Sequence, residues 1–295
     1  MSVVARSNSV DDLLEKLDEL PTLPPVVYEL SRIINDPMSN TSEVERVMQN
    51  DQSLTTKVLK LANSAYFGVP GGVSNLQKAI AFLGYDTVHQ LVLGASIMEA
   101  LEVSGPTKFD LNEFWRHAIG TAMAAETVAK RVGVKVPADL FTCGLVHDMG
   151  KVVLYMIDTD QFMKNVQIAR DDDVTFLDAE NKENIIPHTA LGHLLAKKWL
   201  LPNAIQQCIL HHHEANPEKR LHVSAELNQY VDIVFLANLM VHALKYGDSG
   251  YNKVGALPKA IFSRLGLAPA DLKDVTVRIK KALESADAFM AIIMG

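Results

Sequence analysis

Only two cysteines, Cys143 and Cys208, occur in 295 residues, and they stand far apart with no paired motif around either. That excludes a disulfide-stapled extracellular scaffold and fits a reducing compartment. Positive charge is not in surplus: 28 Lys and Arg against 35 Asp and Glu give a net charge of −7. Broad nonspecific nucleic-acid binding is therefore not expected. Long hydrophobic runs are missing too. The most apolar interior stretch, VDIVFLANLMVHAL at 231–244, is too short to cross a bilayer and carries Asn238 and His242. The opening MSVVARSNSVDDLLEKLDEL has no apolar signal region and turns acidic at once. Neither alternating β patterns nor internal repeats nor low-complexity tracts are found. A cytoplasmic protein with no membrane segment is expected.

What is present is helical periodicity. Hydrophobic residues make up 48% and charged residues 21%, an ordinary globular balance. Ser42, with Glu45 three residues on, has the pattern of a capping box. Leu54, Val58, Leu61, Ala62 and Ala65 form one apolar stripe, which Gly68 is expected to end. The GVPGGVSN that follows reads as a turn, since it lacks the Gly-Lys-Ser/Thr ending of a phosphate loop. A second helical block opens near Phe109, with a stripe through Leu111, Phe114, Ala118, Ala122, Ala125 and Ala129. Further helices are expected around 138–148, 187–199, 202–213 and 228–246, and an amphipathic one over 269–293. The fold class is all-α, with two helical bundles meeting near residue 105. The parts are an N-terminal helix over 1–19, a helical region over 20–105, a second bundle over 106–246 and a helical C-terminal extension over 247–295.

Helix phase sorts the ten histidines. His188, Leu191 and Leu195 share one face of a helix that Pro187 opens, whereas His193 falls off it and reads as solvated. His212 stands in line with Ile205, Cys208 and Ile209, His213 lies at the edge of that face, and His211 points elsewhere. Glu113 and His117, four apart, border the apolar stripe of their helix. The run GLVHDMGK, at 144–151, adds an adjacent His147 and Asp148 with the cation Lys151 behind them. The inward set is therefore His117, His147, Asp148, His188 and His212, with His213 and Glu113 at its edge. Imidazole and carboxylate donors suit zinc, iron or manganese. Clustered groups of this kind mark a site, because each buried polar group left without a partner costs about 1–3 kcal/mol. His89, His222 and His242 read as ordinary histidines, although His242 lies on the same face as Asn238. Cys143, four before His147, reads as a small buried residue.

This set resembles the HD superfamily of metal-dependent phosphohydrolases, whose signature is a His, an adjacent His-Asp and a distant Asp on helices. His117 and His147-Asp148 match the first two parts. Glu113, His188, His212 and His213 are similar to the additional ligands of the HD-GYP branch, and Lys151 to the lysine of its HDxGK motif. Two departures stand out. ANPEKR follows the HHE of 212–214 where that branch carries Gly-Tyr-Pro, and the GDSGYNK of 247–253 comes too late to replace it. Asn238 stands at the place of the distant Asp, offering a neutral carbonyl oxygen. LPTLPPVVYELSRIINDP, DQSLTTKVLKLANSAYFG and NLQKAIAFLG identify the chain as a member of the HDOD family, from about Leu20 to Glu214. That resemblance implies a bacterial signalling or regulatory domain holding a divalent metal without fast turnover. Its partners would be signalling proteins or a phosphate-containing small ligand. The alternative it implies is an active phosphohydrolase for a nucleotide or cyclic dinucleotide, with Lys151 and Asp148 in catalytic roles.

Overall fold

A computed structural model describes residues 15–17, 19–34, 41–48, 51–135, 137–268 and 270–294. Among these residues there are sixteen α-helices and one 3-10 turn, Pro217–Lys219, and no strand. The chain is all-α, as its periodicity implies. Most of the N-terminal helix expected over 1–19 lies outside the described residues.

Five helices precede residue 105: α1 Pro25–Ile34, α2 Thr41–Met48, α3 Gln52–Ala62, α4 Leu76–Leu83 and α5 Tyr85–Ala100. Helix α2 starts at Thr41, so Ser42 lies inside its first turn instead of capping it. Helix α3 is capped by Asp51, whose Oδ1 accepts the Leu54 N–H at 2.9 Å. It buries Leu54, Val58, Leu61 and Ala62 but stops at Ala62, well short of Gly68, and leaves Ala65 exposed. The reason is Asn63. Its amide donates to the Val73 carbonyl at 2.8 Å and accepts the Val73 N–H at 2.6 Å, which folds the glycine-rich turn back onto the helix end.

Eleven helices follow: α6 Leu111–Val132, α7 Pro137–Val146, α8 Met149–Ile157, α9 Thr159–Asp171, α10 Phe176–Glu183, α11 His188–Lys198, α12 Asn203–His211, α13 Ala225–Ala243, α14 Lys259–Arg264, α15 Asp271–Leu283 and α16 Ala286–Met294. The segment expected as one helix over 269–293 is thus two, α15 and α16, broken by a turn at 284–285. Helix α6 is the central strut and packs against α7, α13, α15 and α16. Its small residues make that possible: Gly144 of α7 lies directly on the backbone of Thr121 and Ala122.

The crossing of α8 and α11 is closer still. A Cβ placed on Gly150 would stand 1.8 Å from the His188 carbonyl oxygen and 2.7 Å from the Gly192 nitrogen. Two glycines therefore let the helix after His147-Asp148 touch the helix that His188 begins. The stretch Ala138–Ile157 is long and apolar enough to cross a membrane by composition, but 89% of it is buried inside this fold, as the core formed by α7 and α8.

The buried apolar side chains, from Leu17 to Ile293, form one continuous cluster. Helix α16 packs on both α3 and α6, where Phe289 meets Tyr66 and Phe141 at ring distances of 6.1 and 5.5 Å. The Tyr66 hydroxyl also donates to the Glu126 carboxylate on α6. The LANSAYFG turn is in this way fixed to the helix that carries His117.

Candidate metal centre

Each functional side chain is held at a helix end or on a buried helix face. His147 and Asp148 occupy the two residues between α7 and α8, and Asp148 has φ −99° and ψ 10°, in the sparsely populated bridge region. His188 is the first residue of α11, and His212 is the C-cap of α12. His117 sits in the middle of α6, and Asn238 lies on α13. All six are buried.

Hydrogen bonds fix which ring nitrogen is free. His147 Nδ1 donates to the Gly144 carbonyl at 2.7 Å, and His212 Nδ1 to the Ile209 carbonyl at 2.9 Å. His188 Nδ1 donates to Glu180 Oε2 at 2.7 Å, while Glu180 Oε1 accepts the His188 backbone N–H at 2.8 Å. With each Nδ1 carrying its proton, each Nε2 presents a lone pair.

Those lone pairs meet at Asp148. Its Oδ1 lies 3.3 Å from His188 Nε2 and 3.2 Å from His212 Nε2, and its Oδ2 lies 3.4 Å from His147 Nε2. His213 Nε2 is 3.2 Å from His188 Nε2. Two donor groups result, with Asp148 in both: Asp148, His188, His212 and His213 in one, and His117, His147 and Asp148 in the other. Within each, the donor atoms lie within 4.8 Å of one another. His147 Nε2, His212 Nε2 and Asp148 Oδ1 have no hydrogen-bond partner. Lone pairs facing a carboxylate at this spacing repel unless a cation lies between them. Spacings of 3.2–3.3 Å are also those between neighbouring donors on an ion bound at about 2.0–2.2 Å. The residues fit a divalent metal.

His117 Nε2 donates to Asn238 Oδ1 at 3.0 Å, leaving its Nδ1 without a partner. Asn238 therefore lies beside the first histidine of the set. Glu113 does not join. Its carboxylate is partly exposed and pairs with Arg116 at 3.4 Å, and its carbonyl accepts the Asp248 N–H at 2.9 Å. The i, i+4 spacing puts it on the same side as His117, but one turn nearer the surface, where segment 247–248 covers that side of the helix. His193 is not solvated as expected: it is half-buried, with Nδ1 bonded to the Gln206 carbonyl at 3.2 Å. It stays outside both donor groups.

Lys151 is fully buried. Its Nζ donates to Asp148 Oδ2 at 2.7 Å and to the Ser249 carbonyl at 3.1 Å, and lies 4.9 Å from the Tyr251 ring centre. Ser249 and Tyr251 belong to the GDSGYNK segment that sequence reasoning set aside, and the fold returns it to the centre. Gly247, at φ +72°, makes this possible, since a Cβ there would stand 2.3 Å from the His117 nitrogen. His242 is also closer than expected, with its ring 4.4 Å from that of His117 and its Nε2 3.1 Å from Ser249 Oγ. Glu180, the partner of His188, gave no sequence signal because its eight-residue offset from His188 crosses a helix break. Beyond His213, the buried Arg220 donates to the Glu214 carbonyl and to Asp232 Oδ1 at 2.7 Å, which fastens the end of the ligand segment to α13. A cavity of about 260 Å³ adjoins the cluster, bounded by His212, His213, Asn238, His242 and Tyr251, among others.

Burial pushes the His117 pKa down to about 3, with His147 adding to the effect, and that of His212 down to about 4. Burial acts the same way on His188, but Glu180 and Asp148 outweigh it and raise that group. His117 and His212 thus reach neutral pH already deprotonated, as metal ligands must be. For the metal-free protein the sign follows. As pH falls below about 6.5, the unfolded chain takes up these protons before the folded one, so stability is lost on acidification. His188 contributes in the opposite sense, losing its share as pH rises. The two depressed groups dominate, so the melting temperature in chelator should fall by more than about 5 °C from pH 7 to pH 5. A flat or rising melting temperature over that interval would contradict these protonation states.

An all-α protein with a buried His/Asp cluster is the class that fold and site define. The chain belongs to the HDOD domain family, whose model matches residues 20–215. It is similar to an HDOD domain protein of unknown function from Geobacter sulfurreducens, at 26% identity and a TM-score of 0.76, with 94% of this chain and 96% of that one covered. It shares its fold with a candidate phosphohydrolase from Shewanella amazonensis SB2B, at 24% identity and a TM-score of 0.71, covering 94% and 97%. An uncharacterised relative from Treponema pallidum (strain Nichols) is 25% identical over 252 residues. That match covers 85% of this chain and 47% of the relative, so this chain spans about half of its length.

Proposed function

We propose that this protein is a cytoplasmic bacterial regulatory module whose HD-type centre holds a divalent metal, zinc, iron or manganese, without fast turnover. The observation that carries the reading is the set of unpartnered buried atoms, His147 Nε2, His212 Nε2 and Asp148 Oδ1, gathered where a bound cation would satisfy all three at once. Asp148 would serve both donor groups, His188, His212 and His213 would complete one, and His117, His147 and the Asn238 oxygen would complete the other. When bound, the ion would supply charge and a Lewis-acid site. The chain supplies the tautomers that aim Nε2 of His147, His188 and His212 inward and leave Nδ1 as the free nitrogen of His117, and Glu180 and Lys151 hold His188 and Asp148 in place.

Slow or absent turnover is supported by where Lys151 and Asp148 are. They are engaged with each other and take no part in the cavity wall. A lysine that offsets phosphate charge would have to face that wall. The N-terminal helices, fixed to α6 through Tyr66 and Glu126, would present the surface for a signalling partner. The alternative, a phosphohydrolase, is favoured by one observation, the cavity that opens on His212 and His213. The test is metal analysis of the purified protein together with hydrolysis of bis(4-nitrophenyl) phosphate. Bound metal with no turnover above the buffer control is expected. Metal-dependent turnover that Asp148→Asn abolishes would establish the enzyme instead.

Asn238 gives a separate prediction. An aspartate there adds an anionic oxygen where the native chain has only a neutral one. Asn238→Asp should bind metal more tightly or gain a second ion, compared at equal pH and buffer. Unchanged stoichiometry and affinity would mean that the Asn238 oxygen does not face the ion.

A further inference from the structure

We infer that the outward face of α15, around Val277 and away from the metal centre, docks a short acidic segment of a partner protein. This surface lies outside residues 20–215, which match the family model, and it needs no metal.

Helix α15 is a fixed platform. Its Val275, Ile279 and Leu283 are buried, and a Cβ on Gly120 of α6 would meet Leu283 Cδ2 at 3.3 Å. At the other end Arg131, in the last turn of α6, pairs with Asp271 at 2.6 Å, so the two helices run antiparallel. Asp271 Oδ2 also accepts the Ala268 N–H at 2.8 Å. With one face held in this way, the opposite face stays turned to solvent.

The residues on that outward face do little for the fold. Val277 is 60% exposed, and a β-branched residue on a solvated helix face is a weaker helix former than Ala, Lys or Glu. Lys273 is the third residue of α15, in the first turn, where the helix dipole disfavours a cation. Lys280 and Lys281, in the last turn, suit the dipole but bring two more cations to the same valine. Counted from Val277, the three lysines lie at −4, +3 and +4, its nearest neighbours on a helix surface. All three are exposed, and none pairs with a carboxylate among the described residues. Arg278, on the flank of the face, is bound to Asp274 at 2.7 Å. That leaves Glu284 as the free carboxylate of the face, one against three lysines. Two residues that cost α15 stability and a surplus of positive charge thus share one spot. Local choices that work against the fold are expected where a surface has another task.

The chemistry of the face indicates the partner. A ring of lysines calls for carboxylates, and Val277 inside it calls for one apolar side chain, the plan of an interface with an apolar centre and a charged rim. Extent separates a protein segment from larger polyanions. At 13 residues, α15 is about 20 Å long. A membrane surface or a nucleic-acid duplex reaches well past it, onto a chain whose net charge is −7. A segment of about three helical turns meets the lysines alone, and charges more than about 8 Å beyond it are screened.

The experiment is fluorescence anisotropy of the full chain with a labelled peptide of glutamates carrying a leucine in each helical turn. Its controls are the same peptide with glutamine for glutamate, phosphatidylserine vesicles and a short DNA duplex. The glutamate peptide should bind at least about tenfold more tightly than the glutamine one, and lose about tenfold between roughly 50 and 300 mM salt. Val277→Ala, and separately Lys273→Ala with Lys281→Ala, should each weaken it at least about fivefold, with melting temperatures within about 2 °C of the native value or above it. A purely structural role would give the reverse, native binding with a lower melting temperature, and that result overturns the inference. Equal binding of the glutamine peptide also overturns it, as does tighter binding of vesicles or DNA. So does a dimer of the native chain that either variant dissolves, since the face would then be occupied by a second copy.

Discussion

Gly150→Ala is expected to destabilise the protein by at least about 3 kcal/mol, or to prevent folding altogether, although it adds a single methyl group. The methyl would lie 1.8 Å from the His188 carbonyl oxygen. Real contacts are more than an ångström longer, and the obstacle is backbone in mid-crossing, which no side-chain rotation removes. Helix α11 must therefore shift bodily away from α8, taking His188 away from Asp148. Loss of metal should accompany the loss of stability. Two other glycines set the scale. At Gly192 the nearest atom is Ile209 Cγ2 at 2.8 Å with Gly150 nitrogen at 3.0 Å, and at Gly94 it is the tip of Leu145 at 2.7 Å. Side-chain tips can yield, so denaturant melts should rank Gly150→Ala as the most damaging, then Gly192→Ala, with Gly94→Ala mildest. If Gly150→Ala proved no worse than Gly94→Ala, the close crossing of α8 and α11 would be wrong.

Lys151→Met should cost about 3–5 kcal/mol in the metal-free protein, since it strips the partner from a fully buried carboxylate. Asp148 is held well below the usual carboxylate range: burial alone would raise it, but Lys151 and then His147 more than compensate. Without Lys151 the anion keeps only imidazoles and must take up a proton or unfold. A cation in the cluster would take over part of the lysine's task, so the loss should be smaller in metal-loaded protein. Lys151→Met combined with Asp148→Asn should recover part of the deficit, because the buried charge disappears with its partner. Melting curves of the two single variants and the double variant, with and without chelator, decide it. Equal losses in both conditions would show that Asp148 does not serve a cation.

Much of the centre is legible in the sequence because helix phase is a local property. His117, His188 and His212 each share a face with apolar neighbours, and burial of that face carries the histidine inward. His213 lies at the cavity wall, as its place at the edge of that face implies. Phase says nothing about the far end of a side chain. Glu113 has the right spacing from His117, yet Arg116 and segment 247–248 claim its surroundings. Ser249 and Tyr251 come from a loop whose return depends on Gly247 fitting against His117, a contact with no periodic trace. The end of α3 was misplaced for a related reason: Asn63 terminates it through Val73, ten residues away, before the glycine signal is reached.

Phe289 has a consequence for the newly made chain. Its ring packs against both Tyr66 and Phe141, which also lie 6.1 Å from each other. The earliest and middle parts of the polypeptide can therefore meet before this residue is made, but their joint is left uncovered on the side that Phe289 fills. At about 5–20 residues per second, roughly 10–40 s separate the completion of α5 from the arrival of Phe289. Through that interval Tyr66 and Phe141 have no apolar cover from α16. A ribosome stalled before α16 would therefore display a chain whose Tyr66–Phe141 joint is formed but still exposed, an apolar surface open to aggregation and proteolysis.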